Sequence, residues 1–258
     1  MIIIFETLKK YQFLFEELVI RDFKEKYKRT VLGMGWSVLS PLLSLLVMKI
    51  VFSQFFGRNT PFYTTYLFSG NLVMSFFREA TRGGMCSLMS NARIFTKVNI
   101  PKYLFVFSRN ISSLVNFLII LVVYFFFCAM DGIPFGIHML SLTYPILCLV
   151  LFNLGIGMIL SAMYVFFRDT QYLYDVFLTL LTYMSAIFYQ VDNYPLMIQK
   201  LFYFNPVYCY IKYFRVVVID GVIPSPALHL LCMFYAVVAL LFGFRVYKKN
   251  NHKFLYYV

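Results

Sequence analysis

The chain has 258 residues, of which 61% are hydrophobic, 21% aromatic and 13% charged, with a mean hydropathy of +0.76. Soluble domains carry about 25% charged residues, so this chain has too little polar surface to cover its core, and an integral membrane protein takes precedence over a very apolar soluble one. The net charge of +12 and pI near 9.4 fit an anionic membrane face and, at this hydropathy, argue against a nucleic-acid partner.

The first residues, MIIIFETLKK, do not read as a signal peptide. Their apolar residues precede the lysines, Glu6 interrupts them, and no small-residue cleavage site follows. Next comes RDFKEKYKRTVLGMGWSVLSPLL, from Arg21 to Leu43, where a dense basic segment leads straight into an apolar run. Val19, Phe23 and Tyr27 recur four apart and predict an apolar stripe. Asp22 to Lys26 and Glu25 to Arg29 are acid-before-base pairs that favour helix. Residues 1–35 are therefore expected to hold an amphipathic helix lying in the plane of the cytoplasmic interface. Gly33 and Gly35 turn the chain into the bilayer, and Trp36 sits at headgroup depth.

A helix crossing the hydrocarbon core needs about 20 residues. Six stretches are predicted to do so: Trp36 to Phe56, Phe62 to Phe77, Ile111 to Met130, Leu142 to Phe167, Tyr172 to Tyr189 and Ala227 to Phe244. With the N-terminus inside, the inner segments hold 18 lysines and arginines and the outer ones 4, with Lys49 in mid-span. Both termini are expected on the cytoplasmic side. Lys49 and Asp175 are the only ionisable acid or base deep in the spans. Two readings stand for them: local pairing or snorkelling, and a place along a substrate path.

Two connections stand out. The inner segment between Arg78 and Arg109 contains NARIFTKVNIPKYLF, in which Ile94, Val98 and Ile100 mix with Arg93, Lys97 and Lys102, and Pro101 redirects the chain. It reads equally as a short amphipathic element for docking a partner and as a solvated loop. The outer segment from Gln190 to Pro226 is apolar and aromatic, yet Pro195, Asn205–Pro206 and Asp220–Gly221 cut it into pieces too short to span. Such pieces predict re-entrant helices between spans five and six, and non-helical backbone at that depth must be covered by protein or line a water-filled path.

No HExxH, GxSxG, paired-carboxylate or metal-spaced Cys/His pattern occurs, and GxxxxGK[ST] is missing. The chain is not expected to be an enzyme or to hydrolyse ATP itself. The cysteines at 86, 128, 148, 209 and 232 make no CxxC and read as small buried hydrophobes.

Four patches resemble the permease subunits of ABC-2 type transporters that export bacterial polysaccharides such as O-antigen, capsule and teichoic acid. The first is Arg21, Asp22, Tyr27, Leu32, Gly33, Trp36 and Pro41. The second is Asn91, Lys97 and Pro101 with SSLVNF at 112–117. The third is FFRD at 166–169, and the fourth is Asn205–Pro206 with Arg215. They follow the family's order over nearly the whole chain. Val106 departs from it, since many relatives place a second proline there, which bears on the path of the cytoplasmic element.

The resemblance implies a single all-α membrane domain over residues 1–258, with spans one to five within 36–189 and span six and a cytoplasmic tail in 227–258. It implies a homodimer around a channel in the bacterial cytoplasmic membrane and two copies of a separate ATPase subunit, which carries the ATP and Mg; this chain needs no cofactor or metal. The element near 91–102, through Asn91, Arg93, Lys97 and Pro101, is implied to seat in that ATPase, and the 190–226 segment to be an external gate. The cargo is implied to be a glycan on a polyprenyl diphosphate lipid.

Sugars stack on aromatic faces, and Tyr183, Tyr189, Tyr194, Tyr203 and Tyr208 surround the expected gate with Asn205, Pro206 and Arg215, although aromatics also form interface belts. Arg21, Lys24, Lys28 and Arg29 lie at the depth of a lipid diphosphate, which guanidinium suits; topology alone also accounts for each. Competing functions are an ABC-2 exporter of a drug or small lipid, a membrane enzyme modifying lipid-linked sugars, and a passive channel.

Overall fold

Helix is the only regular structure among the described residues. The structure is a computed structural model that describes residues 10–27, 30–56, 62–98 and 100–257. In chain order the helices are α1 (Gln12–Tyr27), α2 (Trp36–Phe56), α3 (Tyr63–Ser90), α4 (Ala92–Phe95), α5 (Tyr103–Met130), α6 (Thr143–Phe166), α7 (Thr170–Met184), α8 (Leu196–Phe202), α9 (Pro206–Val218) and α10 (Pro226–Asn250). Short 3-10 turns at Gly33–Gly35, Ile137–Leu142 and Lys253–Leu255 complete the set. Four segments have the length and composition to cross a membrane: Gly33–Ser53, Tyr103–Met130, Ile137–Phe166 and Pro226–Asn250.

The other two expected spans differ in a physical way. The stretch expected at 62–77 belongs to α3, a 28-residue helix that runs on through Arg78, Glu79 and Arg82, and its polar residues lower its hydropathy. The stretch expected at 172–189 is α7, which ends at Met184 after 15 residues. Beyond it Ala186 takes a positive φ of 50°, and the chain leaves the helix before Tyr189.

Helix direction follows from contacts at the two ends of the bundle. Thr65, near the start of α3, donates to Asp131 just past the end of α5. At the opposite end Asn91, which closes α3, meets Arg21 of α1, and Asp22 of α1 meets Ser108 early in α5. Helices α3 and α5 are therefore antiparallel. Helices α6 and α10 run parallel: the Tyr144 hydroxyl donates to the His229 carbonyl near their starts, and Phe166 packs on Phe254 beyond their ends. Between these points Gly155 and Gly243 let the backbones touch. A Cβ on Gly155 would lie 2.3 Å from the Ala239 carbonyl carbon. Gly157, two residues on, faces α3, where a Cβ on Gly84 would lie 3.0 Å from its Cα. Close approach through small residues is how helices pack where water exclusion offers no driving force.

Helix α1 corrects the expected stripe. Its buried line is Leu18 and Asp22, flanked by the partly buried Tyr11, Leu14 and Phe15, and it lies against α5. Val19 and Phe23 are only half-buried, and the side chain of Tyr27 lies outside the described residues. The helix is rotated because Asp22, whose side chain is 0% exposed, faces inward to meet arginines. The expected pairings give way to tertiary ones: Lys26 pairs with Glu79 at 2.8 Å, and Glu25 with Arg109 at 3.5 Å. Gly33, with φ of 51°, makes the expected turn into α2. All five cysteines are free, and all but the half-buried Cys86 are buried.

Candidate functional site

At one end of the bundle Arg215, in the last turn of α9, is 8% exposed, and no carboxylate lies within 4.0 Å of it among the described residues. Neutral groups satisfy it. Its Nη1 donates to the Tyr66 hydroxyl at 2.8 Å and the Ala186 carbonyl at 2.9 Å. Its Nη2 donates to the Ile187 carbonyl at 3.1 Å and the Tyr66 carbonyl at 3.4 Å, and its Nε to Ser69 Oγ at 3.4 Å. The guanidinium carbon sits 3.5 Å from the centre of the Tyr66 ring. A planar fork with five donors can be shared this way; a point charge on lysine cannot. The cation is held by backbone dipoles and an aromatic face.

The acceptors come from the non-helical stretch after α7. Four consecutive carbonyls receive side-chain donors: Ala186 and Ile187 from Arg215, Phe188 from the Tyr63 hydroxyl at 3.0 Å, and Tyr189 from the Tyr66 hydroxyl at 2.7 Å. The left-handed turn at Ala186 aims them into the bundle. Gly70 makes room, since a Cβ there would lie 3.0 Å from Arg215 Nη2 and 3.1 Å from Ile187 Cγ2.

Asn205 and Pro206 start α9 as the Asn-Pro pair predicts. Asn205 Oδ1 accepts from the backbone N–H of Val207 at 3.0 Å and of Tyr208 at 3.4 Å, and Pro206 occupies the first turn. The other side of the same amide donates to the Met184 carbonyl at 3.2 Å and to Ser185 Oγ at 3.0 Å, which ties the end of α7 to the start of α9. Pro206 and Val207 line an apolar cavity of about 360 Å³ with Phe77, Phe152, Ile156 and Phe242, all from the middle of long helices. Helix α9 thus runs from mid-bundle, at Pro206, to the bundle end, at Arg215.

The tyrosines expected at the gate differ in burial and are linked through Phe202, which meets both Tyr189 and Tyr208. Tyr208 is buried, Tyr189 and Tyr203 are half-buried, and Tyr183 and Tyr194 are exposed. Tyr189 joins Tyr183 through a 2.9 Å hydrogen bond to its carbonyl and meets Tyr194 edge-on. Tyr203 lies edge-on to Tyr208 and under Lys212 Nζ. The residues that sequence reasoning missed are Tyr63, Tyr66, Ser69 and Gly70. Their signal was the polarity of the second expected span.

At the other end Asp22 joins three helices. Its carboxylate accepts from Arg21 at 2.7 Å and from Ser108 Oγ at 3.1 Å, with Arg109 Nε at 3.4 Å; Arg21 Nη2 also donates to Asn91 Oδ1 at 2.7 Å. Residues from the first two sequence patches therefore converge in space. Asn91 corrects its expected role: it is 1% exposed and donates back to the Ser87 carbonyl at 2.8 Å, so it holds the turn and presents no surface. The regular part of the expected docking element is only Ala92–Phe95. Arg93, Thr96, Lys97 and Val98 are exposed, Phe95 and Ile100 are buried beneath them, and Pro101 is half-buried.

Lys102 closes this end. Its Nζ donates to the Asn251 carbonyl at 2.6 Å and lies about 6 Å from the Phe95 and Phe254 rings, and burial pulls its pKa below that of a free lysine. Of the expected headgroup ligands, Arg21 is engaged with Asp22 and Asn91, and Lys24 is exposed. Lys28 and Arg29 lie outside the described residues. Asp175 pairs with Arg82 at 3.1 Å, and Lys49 is exposed on α2.

The chain is similar in sequence to known export proteins. The chain is 25% identical over 251 residues to an O-antigen export system permease protein RfbA of Klebsiella pneumoniae, covering 94% of this chain and 95% of the relative. It is 27% identical over 197 residues to the O-antigen export system permease protein RfbA of Myxococcus xanthus, covering 75% and 74%. It is 21% identical over 244 residues to a polysialic acid transport protein KpsM of Escherichia coli, covering 93% and 94%. The ABC-2 type transporter family model matches residues 14–219, which include the Asp22 junction, the α4 element and the Arg215 site, and the chain is a multi-pass membrane protein of that family.

Proposed function

We propose that the chain is the permease subunit of an ATP-driven exporter of a polyprenyl-diphosphate-linked polysaccharide across the bacterial cytoplasmic membrane. It works as one of two copies with two copies of a separate P-loop ATPase. The observation that carries this reading is the α4 element. Exposed Arg93, Thr96, Lys97 and Val98 sit on an anchored turn between two 28-residue helices, braced by Asn91 and Arg21 on one side and by Lys102 on the other. A push on such a turn reaches the far end of α3, where Tyr66 holds Arg215.

In this reading six segments cross the bilayer, with both termini in the cytoplasm: α2, α3, α5, α6, α7 continued by the non-helical stretch to Tyr189, and α10. The lysine and arginine distribution supports that orientation. The placement of α9, from mid-bundle to the Arg215 end, supports a re-entrant pair α8–α9 acting as the outer gate. The non-helical carbonyls at 186–189 are covered by side-chain donors, as hydrocarbon depth demands. Lys24, Lys28 and Arg29 remain the proposed contacts for the lipid diphosphate, with Arg21 reserved for the Asp22 junction.

The test is co-purification with a P-loop ATPase from the same organism, followed by ATP-driven polymer transport in vesicles. Arg93→Glu with Lys97→Glu is expected to weaken ATPase binding by about tenfold or more, as for oppositely charged rim contacts. A wild-type chain that captures no ATPase, or whose capture ignores both reversals, overturns the reading.

A further inference from the structure

Helix α2 stands off from the bundle. Along its described side chains only Ser37 and Leu45 are buried, while Leu43, Leu46, Val47, Ile50 and Val51 are exposed. Between α2 and the α3–α5 pair lies a cavity of about 470 Å³, within the range of about 300–1,000 Å³ typical of small-molecule sites. Its wall is polar although it lies along a segment apolar enough to cross a membrane.

Three of its polar side chains have no hydrogen-bond partner among the described residues: Ser40 and Ser44, exposed and four apart on α2, and Asn71, half-buried on α3. A serine in a helix ordinarily bonds back to a preceding carbonyl, as Ser69 and Ser75 do here. Hydrocarbon cannot satisfy such groups, so at that depth they call for a polar partner. Lys26 and Arg78 also line the cavity, where Arg78 makes one hydrogen bond, to Thr182 at 3.0 Å. The only tryptophan of the chain, Trp36, forms part of the wall, and it lies beside the Gly33–Gly35 turn near the same end as Lys26.

We propose that this groove is the binding site for the sugar nearest the lipid in a phosphate-linked glycolipid. This deepens the exporter reading and rests on it. Hydroxyl and amide groups that both donate and accept match a polyhydroxyl ring. A flat indole matches its C–H face. Arg78 matches the adjoining phosphate, beside Lys26, which is paired with Glu79 of the same wall. Headgroup contacts on α1 alone would recognise the phosphate and leave Ser40, Ser44 and Asn71 without a role.

The test uses the full chain in lipid nanodiscs, with the emission of Trp36 as reporter. It is titrated with a polyprenyl diphosphate carrying one N-acetylhexosamine and, separately, with the same lipid without the sugar. The sugar-bearing lipid is expected to shift the emission saturably. Ser44→Ala and Asn71→Leu are each expected to weaken its binding by about tenfold, as when a site built to bond a hydroxyl loses a partner, while binding of the sugar-free lipid stays unchanged. Ser44→Ala removes one oxygen only and carries the test alone if Asn71→Leu does not fold. Emission that ignores the sugar-bearing lipid, or variants that leave its affinity unchanged, overturns the groove. The exporter reading is judged apart from it: a wild-type chain that exports polymer with its ATPase while failing this titration overturns the groove alone.

Discussion

Arg215 shows how one residue gains its place from partners far away in the chain. Five donors meet five acceptors spread over α3 and the 186–187 carbonyls. Arg215→Lys keeps the charge but removes the fork, leaving buried carbonyls unpaired at about 1–3 kcal/mol each. Its expected outcome is a lower midpoint of thermal unfolding in detergent and faster proteolysis after Met184; an unchanged midpoint contradicts the assigned geometry. Gly70→Ala is expected to act on the same site from the other side, costing about 1–3 kcal/mol by overpacking, because its Cβ would press on Arg215 and Ile187. The sequence marks Arg215 through its spacing from Asn205–Pro206. It does not mark Tyr66, whose hydroxyl and ring matter only once α3 lies beside α9.

At the scale of elements, side chains with short-range explanations take long-range partners. Asp22 and Glu25 carry the spacing of helix-stabilising acids, yet Asp22 binds Arg21, Arg109 and Ser108, and Glu25 binds Arg109. A fully buried carboxylate needs more neutralising contacts than one exposed lysine a turn away provides, so α1 rotates to bring it onto α5. Asp22→Asn preserves shape and is expected to lower stability by about 1–3 kcal/mol. It should also reduce transport per ATP hydrolysed, measured with the partner ATPase in vesicles, since it loosens the anchor of α4. Equal coupling in D22N and wild type would detach that junction from α4. In the α6–α10 pair, Gly155→Ala is expected to do more harm than Gly70→Ala: its Cβ would meet backbone at 2.3 Å, where nothing flexible can yield. Loss of folded yield on size exclusion is the readout. Gly155 is visible in the sequence only as a glycine in an apolar run; the near contact that requires it comes from a helix about 85 residues away.

For the whole molecule, the proposed crossings place Lys97 and Tyr194 on opposite sides of the bilayer, both exposed. With the native cysteines replaced by alanine, K97C is expected to react with a membrane-impermeant maleimide only after vesicles of cytoplasmic-membrane orientation are opened, and Y194C before. Labelling of both from one side would exclude an odd number of crossings between them. Hydropathy, the distribution of positive charge and local turn chemistry were enough to read a helical membrane protein, its long apolar segments, the turn at Gly33 and the break at Asn205–Pro206. These features depend on solvent preference and local backbone chemistry, which each residue carries with it. The short extent of α7, the inward turn of Asn91, the partners of Arg215 and the polar cavity behind α2 were settled only by the tertiary structure. Each is a balance of burial against hydrogen bonding between segments remote in sequence, and no local pattern encodes which segments will meet.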